Sequence, residues 1–323
     1  TGEHISDMSD SAGTAWLDVG ARDWSRSALT AGHMQPDQMP QLVEGSHPGG
    51  QLRTSLREKW GITAPVVVAG GAGDNAAAAC GAGCFSDGQG FVSLGTSGVL
   101  LAARDSFAPA PETAVHSFCH AVPNRWYQMG VILAATDCLN WLSRTVSQSA
   151  GDLARSVPDT VSGPGKLTFL PYLSGERTPH NDSAIRGAFV GLDIGMTSAD
   201  LCQSVMEGVG FALRDSFEAL KGTGANVDTL LAVGGGTRSR FWLETLATTL
   251  GVPLSLPAEG EFGAALGAAR LAMAADTGDD PQQIMMPPEI AETIAPRADL
   301  MDQYDEAYDH YRALYPALKQ VGR

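Results

Sequence analysis

Val66-Val67-Val68-Ala69-Gly70-Gly71-Ala72-Gly73-Asp74-Asn75-Ala76-Ala77-Ala78-Ala79-Cys80 decides how the rest of the chain is read. Residues 66–69 have the β-branched composition of a buried strand. A turn rich in glycine follows and delivers one carboxylate, Asp74, and residues 75–84 are rich in alanine, the strongest helix former. Strand ends that open into Gly-rich turns are where α/β proteins place reacting groups. A carboxylate there is placed to take a proton from a hydroxyl nucleophile. The same position also suits a plain helix cap, and the local pattern does not separate the two. The apolar run 64–83 contains this carboxylate and is rich in small residues, so it reads as strand–turn–helix and not as a membrane span.

Two further glycine-bearing turns lie downstream. Residues 91–94 and 99–101 are apolar runs flanking Gly95-Thr96-Ser97-Gly98, a hairpin pattern. Such a turn offers backbone N–H groups and two hydroxyls to phosphate oxygens, although many are hairpins and nothing more. Residues 230–233 read as a strand running into Gly234-Gly235-Gly236, with a helix from about Ser239 to Leu250 closed by Gly251. That arrangement sets bare backbone and a helix N-terminus beside a ligand, or simply allows close strand–helix packing. Elsewhere the chain shows short helical patterns and polar loops over 1–60, with a loop around Pro48-Gly49-Gly50. A helix is expected within 126–142, a strand over 167–173 before the loop 174–180, and helices over 199–220 and 264–275. A terminal helix carrying Tyr304, Tyr308, Tyr311 and Tyr315 is expected to stop at Pro316. Strands alternating with helices give an α/β layer structure.

Composition narrows the function classes. With 323 residues and 44% hydrophobic residues, two domains with sizeable cores are expected. A net charge of −15 argues against nucleic acid and against an anionic membrane surface as partners. An anionic nucleotide would need backbone amides, a helix terminus or a divalent cation. Cys80, Cys84, Cys119, Cys138 and Cys202 are odd in number and contain no CxxC, which argues against a disulfide framework and fits a reducing cytoplasm. There is no G-x-x-x-x-G-K-[ST], so no P-loop. Asp193-Ile194-Gly195-Met196-Thr197 resembles an actin-type phosphate loop, but a helix follows at once where a strand is needed. Asp18-Val19-Gly20 lacks the hydroxyls. His116 and His120 have zinc-like spacing but no evident third ligand, and a structural role is the better reading. The tyrosine stripe reads as packing.

Taken in order, the Asp74 turn, the 95–98 hairpin and the Gly234 turn resemble the C-terminal half of an actin-like sugar kinase. Gly187-Ala188-Phe189-Val190-Gly191-Leu192 with Asp200-Leu201 and Val205-Met206-Glu207 resembles the second signature of the FGGY carbohydrate-kinase family. Met8-Ser9-Asp10-Ser11-Ala12-Gly13-Thr14, Phe118-Cys119-His120-Ala121 and the loop Ser174-Gly175-Glu176-Arg177-Thr178-Pro179-His180-Asn181 are similar to the bacterial xylulose-kinase branch. The resemblance implies two ribonuclease H-like (actin-like ATPase) domains around a cleft, the first incomplete: 1–86 as the end of a sugar-binding domain and 87–323 as the nucleotide-binding domain. It implies ATP-dependent phosphorylation of D-xylulose, with Asp74 as base and Asn75 holding sugar. Gly95, Thr96 and Ser97 would hold phosphate, with Gly234, Gly235, Gly236 and Ser239 beside the adenosine and Mg²⁺ accompanying ATP. Arg177 would either reach the cleft or brace its loop, and a homodimer is expected. The family's opening strand–D-x-G-T–strand unit and its sugar-binding Met-His-Gly-Gln segment are not in this sequence, so this chain by itself is expected to be inactive or very poor.

Overall fold

The computed structural model describes residues 1–258 and 263–321. At its centre is a mixed sheet in the order Ile290–Ile294, Leu254–Pro257, Leu230–Val233, Gly90–Leu94, Gly98–Arg104, Trp126–Ile132, His116–Cys119. Leu230–Val233 runs parallel to both its neighbours, and the remaining pairs are antiparallel. An antiparallel meander continued by parallel strands is the ribonuclease H-like, actin-type arrangement.

Both faces of this sheet are covered, so its strands are apolar on both sides. Val92, Leu94, Leu100 and Ala102 face one core, and Phe91, Leu101, Tyr127 and Met129 face the other. Helices Thr136–Val146, Ser198–Gly222, Arg240–Leu250 and Met301–Val321 build the first core, and Asp74–Ala82 and Ala264–Thr277 build the second. The long helix Ser198–Gly222 begins at a capping box: Asp200 Oδ2 accepts from Thr197 N at 2.8 Å, and Thr197 Oγ1 accepts from Asp200 N at 3.4 Å. It buries Cys202, Val205, Val209, Ala212, Leu213 and Phe217 at its helical spacing. Full burial of a large apolar side chain contributes roughly 1.5–3 kcal/mol.

Helices Asp74–Ala82 and Ala264–Thr277 meet through small residues, with backbone against backbone. A Cβ added at Gly267 would stand 1.7 Å from the Ala77 carbonyl oxygen, and one at Gly81 would stand 2.9 Å from that of Gly263. Arg270 Nη1 donates to the carbonyls of Cys80 (3.1 Å) and Gly81 (2.8 Å), satisfying the last turn of the first helix.

Several elements differ from the sequence expectation. Pro48–Gln51 is a strand paired with Val67–Ala69, not a loop. Its Gly49 lies under Ile5, where a Cβ would come within 2.2 Å of Ile5 Cδ1, and its proline opens the strand. Trp126–Ile132 is a strand preceding the expected helix. Strands Leu254–Pro257 and Ile290–Ile294 were not foreseen. The terminal helix runs to Val321 through Pro316, because Leu314, Tyr315 and Leu318 on both sides of the proline pack on the core. Among the described residues no helix is long and apolar enough to cross a membrane.

Candidate active site

Ser93 lies opposite Val233 on adjacent parallel strands, so the glycine-bearing turns that follow leave the sheet side by side. Gly234 has a φ of 95°, and a Cβ there would stand 2.7 Å from the Leu94 carbonyl oxygen. A Cβ on Gly236 would stand 2.7 Å from Leu94 Cβ, while Gly235 borders open space. Only glycine accepts both the positive φ and the contact, and its presence lets the two turns touch.

The 95–98 turn is held from below. Ala135 N donates to Thr96 O at 2.8 Å, and Thr136 donates to Gly95 O through its N at 2.9 Å and its Oγ1 at 2.8 Å. Those bonds occupy the turn's carbonyls and leave Thr96 and Ser97 exposed. Their hydroxyls have no hydrogen-bond partner among the described residues, the state a phosphate-binding turn requires. Ser239 Oγ accepts from Trp242 N at 3.3 Å, so it caps helix Arg240–Leu250. Beyond Gly235 opens a cavity of about 680 Å³ bordered by Thr136, Met206, Gly236, Ser239 and Trp242, a volume suited to a nucleoside-sized ligand. The Trp242 Nε1–H is buried there without a partner.

Asp74 is exposed at the first position of its helix. Its Oδ1 accepts from Asn75 N at 2.7 Å and Asn75 Nδ2 at 3.0 Å, so Asn75 orients the carboxylate and leaves Oδ2 open. The turn before it is fixed from far along the chain. Gly73 N donates to Ser9 Oγ at 3.0 Å, and Ser9 Oγ donates to Asp7 Oδ2 at 2.5 Å. That oxygen also accepts from the backbone of Ser9 (2.7 Å) and Asp10 (3.2 Å). Burial pushes the Asp7 carboxyl up, against these hydrogen bonds. Asp10 is exposed beside Gly73, where a Cβ would stand 3.5 Å from Asp10 Oδ1. Sequence reasoning singled out the segment 8–14 without giving Ser9 or Asp10 a role.

The structure therefore joins the 95–98 and 234–236 turns directly. Asp74 heads a helix on the other face of the sheet from Met206 and Trp242, and among the described residues no hydrogen bond links it to either turn.

The loop 174–182 lies along the end of strand Trp126–Ile132. Thr178 N donates to Val131 O and Thr178 Oγ1 accepts from Val131 N, each at 3.0 Å. Glu176 Oε1 accepts from Arg177 N at 2.7 Å and Leu133 N at 3.1 Å. Arg177 is exposed, and its guanidinium has no hydrogen bond or ion pair among the described residues, so bracing falls to Glu176 and Thr178. His120 is fully buried, donates from Nε2 to Cys84 O at 2.9 Å, and is pushed down to about 4 by burial. His116 packs its ring on Phe118, with 5.6 Å between centroids. Among the described residues no group of three or more His, Cys, Asp or Glu could hold a metal ion. Asp193 sits in a turn leading straight into helix Ser198–Gly222, accepting from Gly195 N at 2.6 Å, and is not in a hairpin. Tyr304, Tyr308 and Tyr311 are buried in the core.

A mixed sheet of this order, with two touching glycine turns beside a cavity, is an actin-type framework. The description "FGGY family of carbohydrate kinases, C-terminal domain" matches residues 90–275, and the N-terminal domain of the same family matches residues 1–81. The chain belongs to the FGGY family of carbohydrate kinases. It is 42% identical over 320 residues to the xylulose kinase of Escherichia coli (strain K12), covering 98% of this chain and 66% of that protein. It is 46% identical over 286 residues to that of Klebsiella pneumoniae, covering 87% and 58%. A solved structure of a xyloylose kinase from Brucella ovis superposes with a TM-score of 0.97 at 56% identity, over 99% of this chain and 66% of that one. The chain thus spans 58–66% of the length of these relatives.

Proposed function

We propose that this chain carries the nucleotide site and the general base of an ATP-dependent kinase that converts D-xylulose to D-xylulose 5-phosphate. The observation that carries this reading is the likeness to the Escherichia coli xylulose kinase, which extends over 98% of the chain. In the reaction, Asp74 Oδ2 accepts the proton of the sugar's terminal hydroxyl. The freed oxygen forms its bond to the γ-phosphorus as the bond to the ADP oxygen breaks in line. Asn75 orients the base and contacts the sugar. Gly95, Thr96 and Ser97 donate to phosphate oxygens, and the adenosine lies in the cavity beside Gly234, Gly235, Gly236 and Ser239. Mg²⁺ bound to the nucleotide would neutralise phosphate charge, and Asp10 and Asp74 are the carboxylates bordering the reacting end. Mg²⁺ commonly uses only one or two protein carboxylates beside phosphate and water. The free, buried cysteines support a reducing, cytoplasmic setting. A homodimer and a division near residue 86 complete the reading.

The test is ADP release by the full-length protein bearing this chain, with ATP and Mg²⁺, against D-xylulose, D-ribulose, L-ribulose, gluconate and glycerol. Preference for D-xylulose is expected. Asp74→Asn is expected to lower kcat by about 10²–10⁴-fold, the usual worth of a general base, while nucleotide affinity holds. Preference for another sugar moves the substrate assignment. No turnover with any of them points to a non-catalytic ATP-binding module, and turnover that is indifferent to Asp74→Asn removes Asp74 as the base.

A further inference from the structure

Glu176 is 3% exposed, and only one of its oxygens is used. Oε1 accepts the backbone N–H groups of Arg177 and Leu133, and Oε2 is buried without a partner. Leu133 directly follows strand Trp126–Ile132. Two and three residues on, Ala135 N and Thr136 N hold the carbonyls of Thr96 and Gly95. One carboxyl group therefore anchors the four-residue segment that in turn anchors the 95–98 turn. The neighbouring Thr178 fixes Val131 through two hydrogen bonds, so the strand end is pinned on both sides of Ile132.

We propose that Glu176 is a positioning residue for nucleotide phosphate. Through Leu133 N–H it sets where residues 133–136 lie, and through them where the 95–98 turn presents its amides and hydroxyls. The inference rests on reading that turn as the phosphate site.

Asp215 faces Glu176 from helix Ser198–Gly222, Cys138 from helix Thr136–Val146 and Tyr311 from the terminal helix, while Tyr172 and Arg177 face it from its own loop and the residues leading into it. Burial pushes the group up to about 8, against the hydrogen bonds from Arg177 and Leu133. Those N–H groups donate to the carboxylate more strongly than to the acid, so the anchor depends on the acceptor at Oε1 and not on its loss of charge.

The experiment is ATP and ADP binding by calorimetry to this chain near pH 7 for the parent, Glu176→Gln and Glu176→Ala, with amide exchange at Leu133, Ala135 and Thr136. Gln keeps an acceptor at the Oε1 position and is expected to bind within about threefold of the parent. Glu176→Ala is expected to bind about tenfold more weakly, the effect of roughly one backbone hydrogen bond, and to exchange faster at those amides. Equal binding by Glu176→Ala, or binding by Glu176→Gln as weak as that of Glu176→Ala, overturns the inference. If Glu176→Ala does not fold, Glu176→Leu, which fills the space without an acceptor, takes its place. If the parent binds no nucleotide, the phosphate-site reading fails instead, and amide exchange decides the positioning role: unchanged exchange at Leu133, Ala135 and Thr136 in Glu176→Ala overturns it.

Discussion

Glu176 and Glu207 show how the fold strips individual carboxyls of water. Glu207 is 2% exposed, accepts from Gly165 N at 3.1 Å and Gln203 Nε2 at 2.9 Å, and is pushed up to about 7 by burial. Both groups titrate near 4.3 when unfolded. Their folded values lie above that, so their full contribution to stability is present below about pH 4.3 and is lost as pH rises through about 7 and about 8. His120 works in the opposite sense: held neutral by burial, it costs stability as pH falls from about 6.5 toward about 4. We predict that Glu176→Gln and Glu207→Gln melt close to the parent near pH 5 and a few degrees above it near pH 8.5, as monitored by circular dichroism. Curves that stay parallel across that range would sink the assignment. Asp74 and the glycine turns were legible in the sequence because their chemistry is local. The Ser9 bond to Gly73 spans 64 residues and the Glu176 bond to Leu133 spans 43, so neither left a local pattern.

At the scale of elements, the contact between helices Asp74–Ala82 and Ala264–Thr277 has the least slack. Gly267→Val is predicted to destabilise the chain by about 3 kcal/mol or more, since the Ala77 carbonyl is backbone and cannot rotate away. Gly222→Ala, at a site where an added Cβ meets nothing within 4 Å, is the control and should be neutral or slightly stabilising. Chemical denaturation reads both, and equal midpoints would show that the helices part freely. Helices were legible where apolar spacing was regular, as in Ser198–Gly222. Strand Trp126–Ile132 was hidden by two residues with tertiary reasons. Gln128 is buried, accepting from Arg104 Nη1 and Thr223 Oγ1 at 2.7 Å each. Gly130 lies under Ser216, where a Cβ would come within 2.5 Å of Ser216 Cβ. At Pro316 the local stop signal gave way to packing on both sides of it.

For the whole molecule, packing ties residues 74–85 to the sheet, whichever side of a domain division they are assigned to. Ala76, Ala79, Cys80, Ala82, Cys84 and Phe85 share a core with Phe91, Leu101, Tyr127 and Leu271. Residues 87–323 produced alone should therefore be aggregation-prone or melt well below the intact chain, which should unfold in one calorimetric transition. Two separated transitions in the intact chain would contradict this.

The burial of the five cysteines has one more consequence. Cys80 and Cys84 belong to the core under one sheet face, Cys138 and Cys202 to the core under the other, and Cys119 to the small cluster beside Ala12 and Leu17. Burial keeps each of the five protonated well above the ordinary thiol range and hidden from reagents. An alkylating agent thus reacts only with molecules that have opened. The order in which the labelled peptides accumulate is a built-in clock, recording which of the three compartments yields first.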